Sequence, residues 1–171
     1  MMEASQSVPE LVAVAKANAK KYEDQVSEIL KHADGQTPSD AQLEELRIAT
    51  AALEAEAVDI FTVFEARMQH HFRRGPFSRK LEALLKEAAQ ADLADSIHQY
   101  YLAINVLKHG KGASYRELLN TPSAQFRVKP AEDIIAEDAD TSESLIEIAV
   151  PGFFDGLTAT ILEAYDFLEK K

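Results

Sequence analysis

The longest uninterrupted helical pattern in the chain sets the scale of anything it can fold into. It opens at Thr37-Pro38-Ser39-Asp40, where a hydroxyl can cap, a proline suits the first helical position and an acid sits in the first turn. From there Leu43, Leu46, Ala49, Leu53, Ala57, Ile60, Phe64, Met68 and His71 hold a helical period until Gly75-Pro76 ends it. Roughly 35 residues at about 1.5 Å each make a rod of about 50 Å, which only a long bundle or a projecting arm accommodates. A first helix precedes it. Pro9 fits its first turn, Leu11, Val12, Ala15, Ala19, Tyr22, Val26, Ile29 and Leu30 form its apolar face, and it runs to about Ala33 before Gly35 stops it. The two long N-terminal helices are expected to pair antiparallel.

The remaining segments are shorter. Residues 78–91 predict a helix carrying Leu81, Leu84 and Leu85, and Asp92 is placed to cap the next one. In that central helix Leu93, Ile97, Tyr100, Ile104 and Leu107 recur at steps of four and three, the spacing of a buried face. Gly110 stops it, and Ser114 with Glu117 has the form of a capping box opening a helix to about Leu119. Phe126–Lys129 and Leu145–Val150 alternate and predict at most one small β-hairpin near the C-terminus. Between them residues 131–144 read as an acidic, solvated loop. A last helix from about Gly152 buries Phe153, Phe154, Leu157, Ile161, Leu162, Tyr165 and Leu168. The expected fold is an all-α, up-and-down helical bundle, one domain over residues 1–171 with 1–7 loose.

Composition narrows the function classes. A chain of 171 residues, 46% apolar and 27% charged, suits one domain with a real core. Its net charge of −11 excludes a broad basic surface for coating nucleic acid, so any phosphate contact must be local. The absence of cysteine excludes disulfides and thiolate chemistry. With no long apolar run and no signal-like N-terminus, a soluble cytoplasmic protein with no membrane contact is expected. No nucleotide P-loop, Ser or Cys nucleophile motif or zinc-protease motif is present.

Two clusters carry chemistry. On the central helix His98, Leu102, Asn105 and His109 fall within an arc of roughly 60°, on a different face from the core. Tyr101, Leu102 and Val106 flank that stripe, which predicts that it faces a cleft or a partner subunit and motivates a homodimer. The following Gly110-Lys111-Gly112 loop would present backbone N–H groups to an anion, with Lys108, Lys111 and Arg116 adding charge. At the end of the second helix Arg67, His70 and Arg74 form a cationic stripe, with Arg73, Arg79 and Lys80 close in sequence. Each cluster has a plainer explanation, a helix corner in the first case and complementation of the helix dipole in the second. If the two helix ends meet, their like charges repel unless an anion or an acidic partner sits between them.

At Ile104-Asn-Val-Leu-Lys-His109-Gly the chain resembles HEPN-like domains, which are helical bundles, usually dimers. Their RNase members carry an Arg, often followed by Asn, and then a His with four to six residues between it and the Arg. Asn105 and His109 match that pattern, and Ile104 stands at the Arg position. The resemblance implies His109 as the catalytic acid or base of RNA cleavage. The leading expectation is therefore a dimeric HEPN-like protein that binds a phosphate-bearing ligand or RNA between the His98/Asn105/His109 and Arg67/His70/Arg74 stripes, with or without cleavage. The competing expectation is a non-enzymatic protein-interaction module, such as a toxin–antitoxin or regulatory partner. A di-metal carboxylate–histidine bundle needs repeated Glu-x-x-His, and only Asp95-Ser-Ile-His98 approaches it, so neither a metal nor another cofactor is expected.

Overall fold

The computed structural model describes residues 7–33, 37–72, 74–110, 112–120, 126, 128, 146, 148 and 151–170. Among these the chain forms six α-helices: α1 (Val8–Ala33), α2 (Asp40–Met68), α3 (Phe77–Glu87), α4 (Ala91–His109), α5 (Ala113–Asn120) and α6 (Pro151–Glu169). The all-α bundle with two long N-terminal helices is as expected. A single antiparallel bridge, Val128 to Ile146, stands where the hairpin was predicted. The expected acidic loop and residues 1–6 of the stretch 1–7 expected to be loose lie outside the described residues, whereas Ser7 is tied to the start of α1, its N–H donating to Glu10 at 2.7 Å and its Oγ accepting from the Glu10 N–H at 3.3 Å.

α1 and α2 run antiparallel. The Asn18 amide donates to Glu56 at 3.4 Å, whereas Glu28 and Ile29 share a groove with Glu45 and Ile48, so positions rise along one helix as they fall along the other. α2, α4 and α6 pack on one another; α1 lies along α2 and α6, and α3 and α5 cover α4. The predicted face of α4, Leu93, Ile97, Tyr100, Ile104 and Leu107, is buried. So are Leu102 and Val106, because α3 and α5 flank α4 within the same chain. Leu102 and Val106 of the second apolar flank are thus covered within the chain, and Tyr101 is half-buried.

The continuous core takes Val8, Val12, Ala15 and Ala19 from α1 and begins at Leu53 in α2. Toward the α1–α2 connection Val26 and Ala49 are buried outside that core, and Leu30, Leu43 and Ile48 are 53%, 49% and 56% exposed. Leu30 and Leu43 were expected to bury. The hairpin of α1 and α2 outruns the core, which leaves these residues on a projecting tip.

Several helix ends differ from the sequence pattern by a residue or more. Ser39, not Thr37, caps α2: its Oγ accepts from the Gln42 N–H at 3.1 Å while the Gln42 side chain accepts from the Ser39 N–H at 2.8 Å. Pro38 therefore precedes the cap. α4 starts at Ala91 with Gln90 as a cap residue that makes no side-chain bond, so Asp92 contributes only charge to the first turn. Ser114 lies inside α5 and does not cap it, because its Oγ accepts from the Asn105 Nδ2 at 3.2 Å. α2 ends at Met68 and continues as a 3-10 turn, Gln69–His71. Phe72 then turns extended (φ −129°, ψ 133°) and sets its ring edge-on against Phe77, with centroids 5.6 Å apart.

Among the described residues no helix is long and apolar enough to cross a membrane.

Candidate functional site

The His98/Asn105 stripe of α4 does face a cleft, built by the chain itself. About 240 Å³ in volume, it is lined by residues of α3 to α5, among them Ser78, Arg79, His98, Asn105, Ser114 and Glu117. Its polar groups are engaged with each other. His98 Nδ1 lies 3.2 Å from Glu82 of α3 and its Nε2 lies 2.7 Å from Glu117 of α5. With a carboxylate at each ring nitrogen, this one side chain ties three helices together. Asn105 likewise ties α4 to α5 through Ser114.

The remaining residues of the first cluster lie outside this cleft. Lys108, His109 and Arg116 are exposed, and Lys111 lies outside the described residues. Ile104, at the Arg position of the RNase-type pattern, is 3% exposed. His109 therefore has no cation on the preceding turn at that position.

Of the second cluster Arg74 and Lys80 border another hollow, where the chain turns from α2 into α3, and Arg67 and His70 are not among its described lining residues. His71, Phe72, Arg74 and Lys80 line about 500 Å³ of space, with no carboxylate among the described lining residues. The turn is held open by Gly75 at φ +94°, in the region that favours glycine. A Cβ there would stand 2.7 Å from Lys80 Cε, so the bare α-carbon is what lets the lysine stem lie across the turn. Phe72 is fixed to the core through a run of edge-on rings, Phe72 to Phe77 at 5.6 Å and Phe77 to Phe64 at 5.3 Å. The hollow thus combines exposed cations with an anchored aromatic. Arg67 sits half-buried on the last turn of α2, and His70 is exposed beside His71 with ring centroids 4.2 Å apart.

Arg79 lines the cleft while its neighbour Lys80 lines the hollow, so the start of α3 separates the two spaces. Beneath them Ser78 Oγ donates to Glu65 of α2 at 3.2 Å. Burial pushes the Glu65 carboxyl above its ordinary range, opposed by the Ser78 hydrogen bond and by the positive charge of Lys108. The end of α4 is therefore close enough to the end of α2 for Lys108 to act on Glu65.

Sequence reasoning singled out Arg67, His70 and Arg74 but counted His71 with the apolar period and passed over Phe72 as a wall. The signal was the His70-His71-Phe72 run just past the last buried residue of α2, where a helix must give way. Glu82 and Glu117 were invisible as partners of His98, since neither shares its helix.

No protein-family model, curated protein or solved structure matches the chain.

Proposed function

We propose that the chain is a HEPN-like helical protein that binds a phosphate-bearing ligand, a nucleotide or a segment of RNA, at the hollow between α2 and α3. The observation that carries this reading is the lining of that hollow, His71, Phe72, Arg74 and Lys80, on a chain of net charge −11. Local positive potential on an acidic surface draws an anion to one place and repels it elsewhere. Arg74 offers a planar fork that matches a phosphate and Lys80 a mobile point charge. Phe72 offers a ring on which a base can stack, a contact worth about 1–3 kcal/mol per base.

The reading is binding without cleavage. His109 is exposed and Ile104 is buried, so the acid or base that the HEPN pattern supplies lacks the arginine that would hold the scissile phosphate. Thermal shifts of the protein with nucleotides and short RNAs test the proposal: stabilisation that Arg74→Ala removes supports it, and no shift with any phosphate-bearing ligand sinks it.

A second reading, a protein-interaction module, is favoured by the exposed tip of the α1–α2 hairpin. There a groove of about 440 Å³ is floored by Ile29, Ile48 and Ala49 and edged by Asp24, Glu28 and Glu45. An apolar floor with an acidic rim suits an amphipathic helix or peptide with basic flanks. Two copies of the chain would bring like charges together there. Light scattering separates the occupants: a dimer dispersed by Ile48→Glu assigns the tip to a second copy, and a monomer leaves it to a basic partner.

A further inference from the structure

We propose that His70, His71 and Glu169 bind one divalent transition-metal ion of the zinc type where the end of α2 meets the end of α6. One ligand atom from each of the three residues lies within 4.8 Å of the other two. His71 Nε2 and Glu169 Oε2 are already 3.3 Å apart. An ion holding tetrahedral ligands at about 2.0–2.1 Å separates neighbouring ligand atoms by about 3.4 Å, so this pair spans one edge of such a site. His70, exposed in the middle of the 3-10 turn, completes the group of three.

The state of His70 is set by its own backbone. Its Nδ1 lies 2.9 Å from the Arg67 carbonyl oxygen, which can only accept, so Nδ1 carries a proton and Nε2 is the nitrogen left for a metal in the neutral ring. In a neutral ring, one nitrogen that donates to a carbonyl leaves the other bare, the arrangement that orients a metal-binding histidine. Helix-end carbonyls offset part of the positive charge that Arg74 and Lys80 bring to the neighbouring hollow. His70 and His71 follow the C-terminal end of α2 and Glu169 closes α6, and both helix ends direct carbonyl oxygens outward. Two imidazoles with one carboxylate select a borderline-soft ion such as zinc over magnesium or calcium, which take oxygen ligands.

His98 with Glu82 and Glu117 does not make an equivalent site. Its two carboxylates sit on opposite ring nitrogens, so no single point lies within reach of all three ligands. In the His70/His71/Glu169 group three protein ligands leave a fourth position for water or an anionic oxygen. Because His71 also walls the cationic hollow, that position would lie at the hollow's edge. Binding of the ion itself does not rest on the phosphate reading.

The test is calorimetric titration of the full chain, stripped with chelator and free of phosphate, with zinc chloride. One ion per chain is expected, undisturbed by excess magnesium. His70→Gln, His71→Ala and Glu169→Gln should each weaken binding by at least about tenfold, the low end of what even an outer-shell change does. His32→Ala and His98→Ala should not, and Arg74→Ala with Lys80→Ala should leave zinc affinity unchanged while removing any anion binding. Should His71→Ala prove unfolded by circular dichroism, the exposed Glu169→Gln decides. No saturable zinc binding, or binding that survives Glu169→Gln and falls as much with His32→Ala, overturns the site.

Discussion

Ser78 Oγ donates to Glu65 at 3.2 Å, a contact that fastens the first turn of α3 to the last turns of α2 and sets a carboxyl below both candidate spaces. Burial is the main influence on that carboxyl and raises it above the ordinary range. When pH is below that range, the folded and unfolded chains both carry Glu65 protonated and its burial costs little. As pH rises through the raised folded value the unfolded chain binds fewer protons, and stability falls. Glu65→Gln keeps an acceptor for Ser78 and does not titrate. The variant is therefore expected to gain on the wild type as pH rises from acid to neutral, in denaturant melts at several pH values. A gap that closes as pH rises would contradict this account of Glu65.

Ala89 is the one described non-glycine residue with positive φ, at 64°. It ends α3 in a two-bond cap: the Gln90 N–H reaches the Leu85 carbonyl at 2.8 Å and the Ala89 N–H reaches that of Lys86 at 3.1 Å. A methyl group in this region strains the backbone, whereas glycine does not. Ala89→Gly should raise stability by up to about 1 kcal/mol, after the cost of glycine's freedom in the unfolded chain. A loss of stability in equilibrium unfolding would show that the turn is not strained.

Much of the fold could be read from spacing because helix periodicity is a local property. The face of α4 from Leu93 to Leu107 and the stop at Gly110, with φ 74°, follow from residues a few positions apart. The cleft along His98 and Asn105 was legible for the same reason. What closes the cleft was not, since Glu82 and Glu117 come from two other helices. The capping box expected at Ser114 loses to a tertiary bond from Asn105. His71 and Glu169 lie 98 positions apart and meet only because α6 returns along α2. Leu30 and Leu43 carry the right period for burial, but period alone does not say where the covering helices stop.

Gly75 links backbone geometry to the hollow. Gly75→Ala adds a strained φ of +94° and a Cβ that must displace Lys80 Cε from 2.7 Å. The variant should lose about 1–2 kcal/mol of stability and bind phosphate-bearing ligands more weakly at temperatures where it is folded. Gly112→Ala, with nothing within 4 Å of the added Cβ, is the matched control and should change neither. Equal binding by the two variants would mean that Lys80 does not contribute.

The most direct measurement of the central claim is the salt dependence of single-stranded RNA binding, followed by fluorescence anisotropy, for the wild type and for Arg74→Ala with Lys80→Ala. Each phosphate neutralised contributes about 0.7 to the slope of log affinity against log salt on a single strand. If Arg74 and Lys80 each meet a phosphate, the double variant should bind more weakly and its slope should be shallower by about 1.4. An unchanged slope, or no binding by the wild type at low salt, would contradict the assignment of an RNA-binding role to the hollow between α2 and α3.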